Sequence, residues 1–175
     1  MTVYALGDRI PRVHELAYVH PRASVIGDVV IGAECLVCPG AVVRGDYGSI
    51  EIGKMTAVED NVVIHARPGE RCVVGDSVTL GHGCIIHTAT VRDHAVIGMG
   101  AVVSDYAEIG EWAVVAEGAV VKNRQNIPAK ALGYGIPAAV KENHVREPYM
   151  EMWGNYKKIY AGLCARYRSE LRESD

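Results

Sequence analysis

Aliphatic side chains recur at every sixth position along most of this chain: Val19, Val25, Ile31, Val37 and Val43. After a gap the series resumes at Ile52, Val58 and Ile64, then at Val74, Leu80 and Ile86. A one-residue slip precedes the last run, Val91, Ile97, Val103, Ile109, Val115 and Val121. A small or compact residue stands four positions after nearly every marker; the last run supplies Ala95, Ala101, Ala107, Ala113 and Ala119. A period of six falls out of phase with a helix within two turns. It also lacks the two-residue alternation of a β-sandwich. The pattern predicts short strands joined by corners, three hexads to a triangular coil. That is an all-β chain, a single-stranded left-handed parallel β-helix of hexapeptide repeats, whose stacked coils bury a core no single coil could form. Gly27, Gly32, Gly53, Gly75, Gly81, Gly98 and Gly110 are expected at tight corners, where positive φ costs glycine little.

From Arg146 onward the period changes. Pro148 can open a helix, and Tyr149, Met152, Trp153, Tyr156, Tyr160, Leu163 and Tyr167 follow at helical spacing as an apolar stripe. The chain therefore divides into a β-helix over 1–142 and, over 143–175, a C-terminal α-helix packing on it or on a neighbouring subunit. The stretch 123–145, with its Pro, Gly and Asn, reads as a crossing loop.

A net charge of −3 gives no electrostatic case for nucleic acid. The light basic cluster Lys157, Lys158, Arg166 and Arg168 reads as a solvated helix face. The start, Met1-Thr2-Val3-Tyr4, has no basic segment followed by an apolar one, so no signal peptide is expected. No apolar run is long enough to span a membrane. Five cysteines without a framework spacing suit a reduced, cytoplasmic setting. The register turns Cys35 inward and Cys38 outward, so this pair is expected to be neither redox-active nor a zinc site.

The histidines carry the candidate chemistry. His14, His20, His94 and His144 read as structural. His65, His82 and His87 differ, because counting hexads in threes groups them. Val43, Ile64 and Ile86 share a face, so Arg44, His65 and His87 form an outward column one rung apart, about 4.8 Å per rung. Val58 and Leu80 share another face, which places Asp60 and His82 in a second column with Glu59 beside them. The two columns are too far apart within one chain to share an ion at about 2 Å per bond. A threefold assembly can bring one chain's His82 to its neighbour's His65 and His87. Three imidazoles with an open position for water describe a catalytic zinc; iron or cobalt suits the same ligands. The same assembly sets Arg44 against Asp60 across the interface.

These residues resemble the γ-class carbonic anhydrases and their bacterial relatives. The resemblance rests on Tyr4, Pro11, Val19-His20-Pro21 and Ile26-Gly27-Asp28-Val29. It continues through Arg44-Gly45-Asp46, Glu59-Asp60-Asn61-Val62-Val63-Ile64-His65, Gly81-His82 with His87, Ile97-Gly98-Met99-Gly100 and Gly135-Ile136-Pro137-Ala138. It implies a homotrimer with Zn²⁺ or iron bound by His65, His82 and His87 at each interface, Arg44 and Asp60 bridging subunits. The implied reaction is reversible hydration of CO₂ to bicarbonate, by water whose pKa a bound cation lowers. The chain departs from the family at Glu59, usually Gln, and at Ala57, usually Asn. Glu59 can take a proton, but its charge should raise the pKa of that water, so Glu59→Gln is expected to lower the pH midpoint of activity. An acidic loop known in the family is here Arg67-Pro68-Gly69-Glu70-Arg71, with Tyr47 at another acidic position, which leaves Glu70 as the candidate proton shuttle. Alternatives are a metal-dependent thioesterase acting on acyl-CoA, as in relatives linked to phenylacetate degradation, a hexapeptide-repeat acyltransferase, and a catalytically silent scaffold. An acyltransferase needs a single histidine and no three-histidine metal site.

Overall fold

A computed structural model describes residues 3–174. Met1 and Thr2, where the chain was expected to start without a signal peptide, and Asp175, the last residue of the tail segment, lie outside the described residues. The chain winds as a left-handed parallel β-helix of about seven turns and ends in one helix, Glu147–Glu170. Every marker residue from Val19 to Val121 is buried, and so are the alanines four positions on. One face carries Val63–His65, Ile85–His87, Val102–Val103 and Val120–Val121. A second carries Arg71–Val74, Thr90–Val91, Glu108–Ile109 and Asn126–Ile127. The long strands Ser24–Ile31 and Val42–Ile52 turn the corner between these faces. The third face runs from Tyr18–Val19 through Leu36–Val37, Ala57–Val58 and Thr79–Leu80 to Leu132–Tyr134.

The corners differ from the sequence expectation. Of the seven glycines named, only Gly27 has positive φ. The left-handed conformation falls three residues after the marker, mostly on other residue types: Glu34, Met55, Asn61, Ser77, His94, Tyr106, Trp112, Arg124 and Lys130. The slip before Val91 is a shortened corner, where Thr88 takes that conformation two residues after Ile86. Glycine at Gly32, Gly53, Gly75, Gly81, Gly98 and Gly110 has another cause, the backbone of the next coil. A Cβ on Gly53 would lie 2.6 Å from the Gly75 carbonyl carbon and 2.7 Å from the Asp76 nitrogen, so the coils could not close up. Gly53→Ala is expected to destabilise the fold by about 3 kcal/mol, as overpacking does in a rigid core. Gly69→Ala, with positive φ but open space, should cost only about 1 kcal/mol. Chemical denaturation of the two variants checks the order.

Three further expectations change. The stretch 123–145 is not a crossing loop. The repeat continues through Ile127 and Ala131, both buried, and the strand Leu132–Tyr134 pairs antiparallel with Ala139–Lys141 to close that end. The helix stripe is rotated: Met152 and Tyr156 are exposed, while Lys157 and Cys164 occupy the buried line against the third face. Lys157 therefore does not belong to a solvated cluster. Its Nζ donates to Thr79 Oγ1 at 3.3 Å and lies 5.6 Å from the Trp153 ring centroid. Cys164 points its thiol at the Cys35 carbonyl, 3.3 Å away. All five cysteines are free, Cys35 inward and Cys38 partly exposed, and burial pushes both thiols up to about 12. Neither is a thiolate nucleophile near neutrality. No helix among the described residues is long and apolar enough to cross a membrane.

Candidate functional site

Stacked coils convert hexad register into vertical columns of side chains. Arg44 pairs with His65 and His65 with His87 across successive rungs of one face, as the count predicts. The two imidazoles meet, with His65 Nδ1 3.0 Å from His87 Nε2 and ring centroids 5.1 Å apart. Their outer nitrogens are both committed to carboxylates. His65 Nε2 donates to Asp46 Oδ1 at 2.9 Å, and His87 Nδ1 donates to Asp105 Oδ1 at 2.6 Å.

Both carboxylates are firmly anionic. Burial pushes Asp46 up, but hydrogen bonds from His65 and from Arg44, which grips its second oxygen, leave it below its usual value. Asp105 is held far below the carboxylate range, first by Arg67, 2.8 Å away, and then by His87, against the opposing effect of desolvation. Two neutral rings that donate outward turn their lone pairs toward each other. At 3.0 Å such an arrangement repels unless a cation or proton lies between. Two nitrogens on one tetrahedral ion, each about 2.1 Å from it, would stand roughly 3.4 Å apart, within a few tenths of the observed spacing. Carboxylates on the outer nitrogens are also the usual support of metal-binding histidines. The pair offers two nitrogens that either share a proton or could serve as two of the donors to a divalent cation.

His82 lies on the third face. Its Nε2 is 3.1 Å from Glu59 Oε2 and its Nδ1 2.9 Å from Asp60 Oδ2, while its backbone N–H donates to Glu59 at 3.2 Å. Glu59 is buried and also receives the hydroxyl of Tyr160 from the C-terminal helix. The His82 side chain is 53 % exposed, against 17 % for His65 and 32 % for His87, so it is presented outward. Among the described residues of one chain, no three His, Cys, Asp or Glu side chains are placed to hold an ion.

The candidate residues thus fall into separate places. Arg44, His65 and His87 form one group. Glu59, Asp60 and His82 form another. Glu70 joins neither; it sits on the corner loop and accepts the Tyr106 hydroxyl at 3.4 Å. Tyr47 is exposed on the neighbouring coil. Sequence reasoning missed the role of Asp105. Its signal was available: Val103 lies on the rung after Ile86, so carrying the column one rung further reaches Ser104-Asp105. The four histidines read as structural stand outside both groups. His14 and His20 accept local backbone N–H groups, His94 stacks on Trp112 and His144 is exposed.

Fold and repeat together define the class: the chain belongs to the hexapeptide-repeat family of left-handed β-helical proteins. It matches no family model. A hexapeptide transferase family protein from Anaplasma phagocytophilum is 30 % identical, with a TM-score of 0.89 covering 97 % of this chain and 98 % of that one. A Bacillus cereus protein provisionally assigned as an acetyltransferase is 29 % identical with a TM-score of 0.93, over 97 % and 98 %. The carnitine operon protein CaiE of Escherichia coli O157:H7 is 39 % identical over 83 residues, 47 % of this chain and 42 % of CaiE. The match thus spans less than half the length of the curated relatives.

Proposed function

We propose that the chain is a metal-dependent hydratase, assembled as a homotrimer and converting CO₂ to bicarbonate at its subunit interfaces. The observation that carries this reading is the pair of facing nitrogens on His65 and His87, with both outer nitrogens tied to anionic carboxylates. In this reading His82 of the adjacent subunit would supply the third imidazole through Nε2 on leaving Glu59, its Nδ1 remaining on Asp60. A bound divalent cation, zinc or iron, would supply Lewis acidity that brings water's pKa near neutrality. The protein's part is positional. Asp46 and Asp105 hold the two rings in the tautomers that leave His65 Nδ1 and His87 Nε2 as acceptors. Arg67 and Arg44 keep those carboxylates charged. Glu59 Oε2, beside His82, can take the proton released when water adds to CO₂, and Glu70 with Tyr106 offers a route onward to solvent.

The test is metal content and CO₂ hydration of protein purified without added metal, before and after chelation and reloading. About one ion per chain is expected, with hydration lost on chelation and restored by zinc or iron. Fewer than about one ion per two chains, with no hydration after reloading, would contradict the proposal. Asp105→Asn, which leaves His87 without its anionic partner, should weaken metal binding about 10–100-fold in competition with a chromophoric chelator. Unchanged affinity would show that the carboxylate does not hold a ligand.

A second reading, acyl transfer, draws on His82 alone. His82 is exposed between Glu59 and Asp60, and a ring nitrogen that releases its carboxylate would be free to act as a general base; the solved relatives above also carry transferase descriptions. Chelation separates the two, since acyl transfer by His82 would survive it.

A further inference from the structure

Away from the histidine pair, a cavity of about 570 Å³ opens where the tail of the C-terminal helix meets the first coil. Arg22 of the coil and Arg168 and Arg172 of the tail line it, with Tyr18 and Tyr167. The two tyrosine rings pack edge to face, centroids 5.3 Å apart, and join tail to coil at this point. The three guanidiniums are without carboxylate partners among the described residues. Arg22 and Arg172 make no ion pair, and Arg168 reaches only the Leu16 carbonyl at 3.5 Å. Glu173 also lines the cavity but pairs with none of them. By contrast, Arg166, on the same helix and outside the cavity, is paired with Glu170 at 3.0 Å.

Three unpaired cations around one cavity repel each other. An anion relieves that repulsion, and guanidinium forks match the oxygens of phosphate better than any other side chain does. His20, which also lines the cavity, has its pKa lowered first by desolvation and then by the Arg22 charge, against an opposing effect of Asp60. The site is separate from the His65–His87 pair and from His82, although Asp60, which touches His82, lines a neighbouring hollow with Arg22. Arg22, Gly40, Asn61 and Gly83 stack on one corner, linked by backbone hydrogen bonds at or beside each step. Arg22 is therefore three rungs, roughly 14 Å, from the level of His82.

We propose that this cavity is a binding site for a phosphate dianion, held by Arg22, Arg168 and Arg172. The dianion could be inorganic phosphate or the phosphate of an organic ligand whose ring rests on Tyr18 and Tyr167. Isothermal titration of the full chain at fixed ionic strength, with inorganic phosphate, pyrophosphate and adenosine monophosphate, distinguishes these sources. Saturable binding is expected, at least tenfold weaker in the double variant Arg22→Gln/Arg168→Gln and unchanged in Arg166→Gln. Arg172→Gln, which removes no contact within the fold, should weaken binding about threefold or more without loss of helix signal. Tighter binding of the nucleotide than of phosphate assigns the organic ligand; equal binding assigns the free anion. No saturation by any of the three at about 10 mM, or equal loss in Arg166→Gln, would overturn the proposal.

Discussion

Lys157→Met is expected to stabilise the folded chain by about 4 kcal/mol near neutral pH, and by little in strong alkali. Lys157 is 3 % exposed between the helix and the third face. Its only polar contact is the Thr79 hydroxyl, and no carboxylate faces it. Desolvation alone pushes its pKa down to about 7, from an ordinary 10.5. A lysine whose pKa falls on folding binds its proton less tightly in the native state than in the unfolded one. The unfolded chain therefore holds more protons between about pH 7 and pH 10.5, and stability rises with pH across that window. Below about pH 7 the full penalty is present, about 1.4 kcal/mol for each tenfold loss of proton affinity. Methionine keeps the unbranched stem against Trp153 and removes the charge. Urea midpoints of wild type and variant should differ most at about pH 6–7 and converge toward about pH 10. A constant difference across that range would mean that the ammonium is solvated in the folded chain.

Lys157 also shows where sequence reading stopped. It sits four residues after Trp153 and three before Tyr160, on the helix's inward line, yet a lysine at such a position is ordinarily assigned to solvent. The helix period was legible; its rotation was not, because aromatic residues stand on both sides and packing against the coil decides between them. The prism was legible almost throughout, since each coil repeats the same rule and marker and alanine positions report directly on burial. Errors in the coil came where the reason for a residue lies one rung away. Glycine at Gly53 answers to Gly75 and Asp76, about twenty residues distant in sequence, and a local turn argument cannot see that. The repeat past Val121 was obscured by proline and asparagine, which tolerate corners as well as loops. At the site, the columns of Arg44, His65 and His87 and of Asp60 and His82 followed from counting alone. The carboxylates that orient the rings needed more: Asp105 appears only when the column is carried one rung past His87, and which nitrogen it meets depends on side-chain direction at the corner.

Mixing two inactive variants is expected to restore about a quarter of the metal sites. In the trimer proposed above, each site takes His65 and His87 from one chain and His82 from the next. His65→Ala removes a ligand from the first group and leaves His82 intact; His82→Ala does the reverse. Each variant alone should therefore bind metal poorly at every interface. In a cyclic trimer formed at random from equal amounts, a site is complete only when the first chain carries His82→Ala and the second His65→Ala, about one arrangement in four. Neither His65 nor His82 belongs to the buried hydrophobic core, so assembly should survive. Metal content after denaturation and refolding of the mixture, with mass spectrometry to show that the subunits have exchanged, provides the measurement. A site built within one chain predicts no recovery whatever the mixing. Exchanged trimers that regain no metal would therefore remove the shared site and, with it, the hydratase reading.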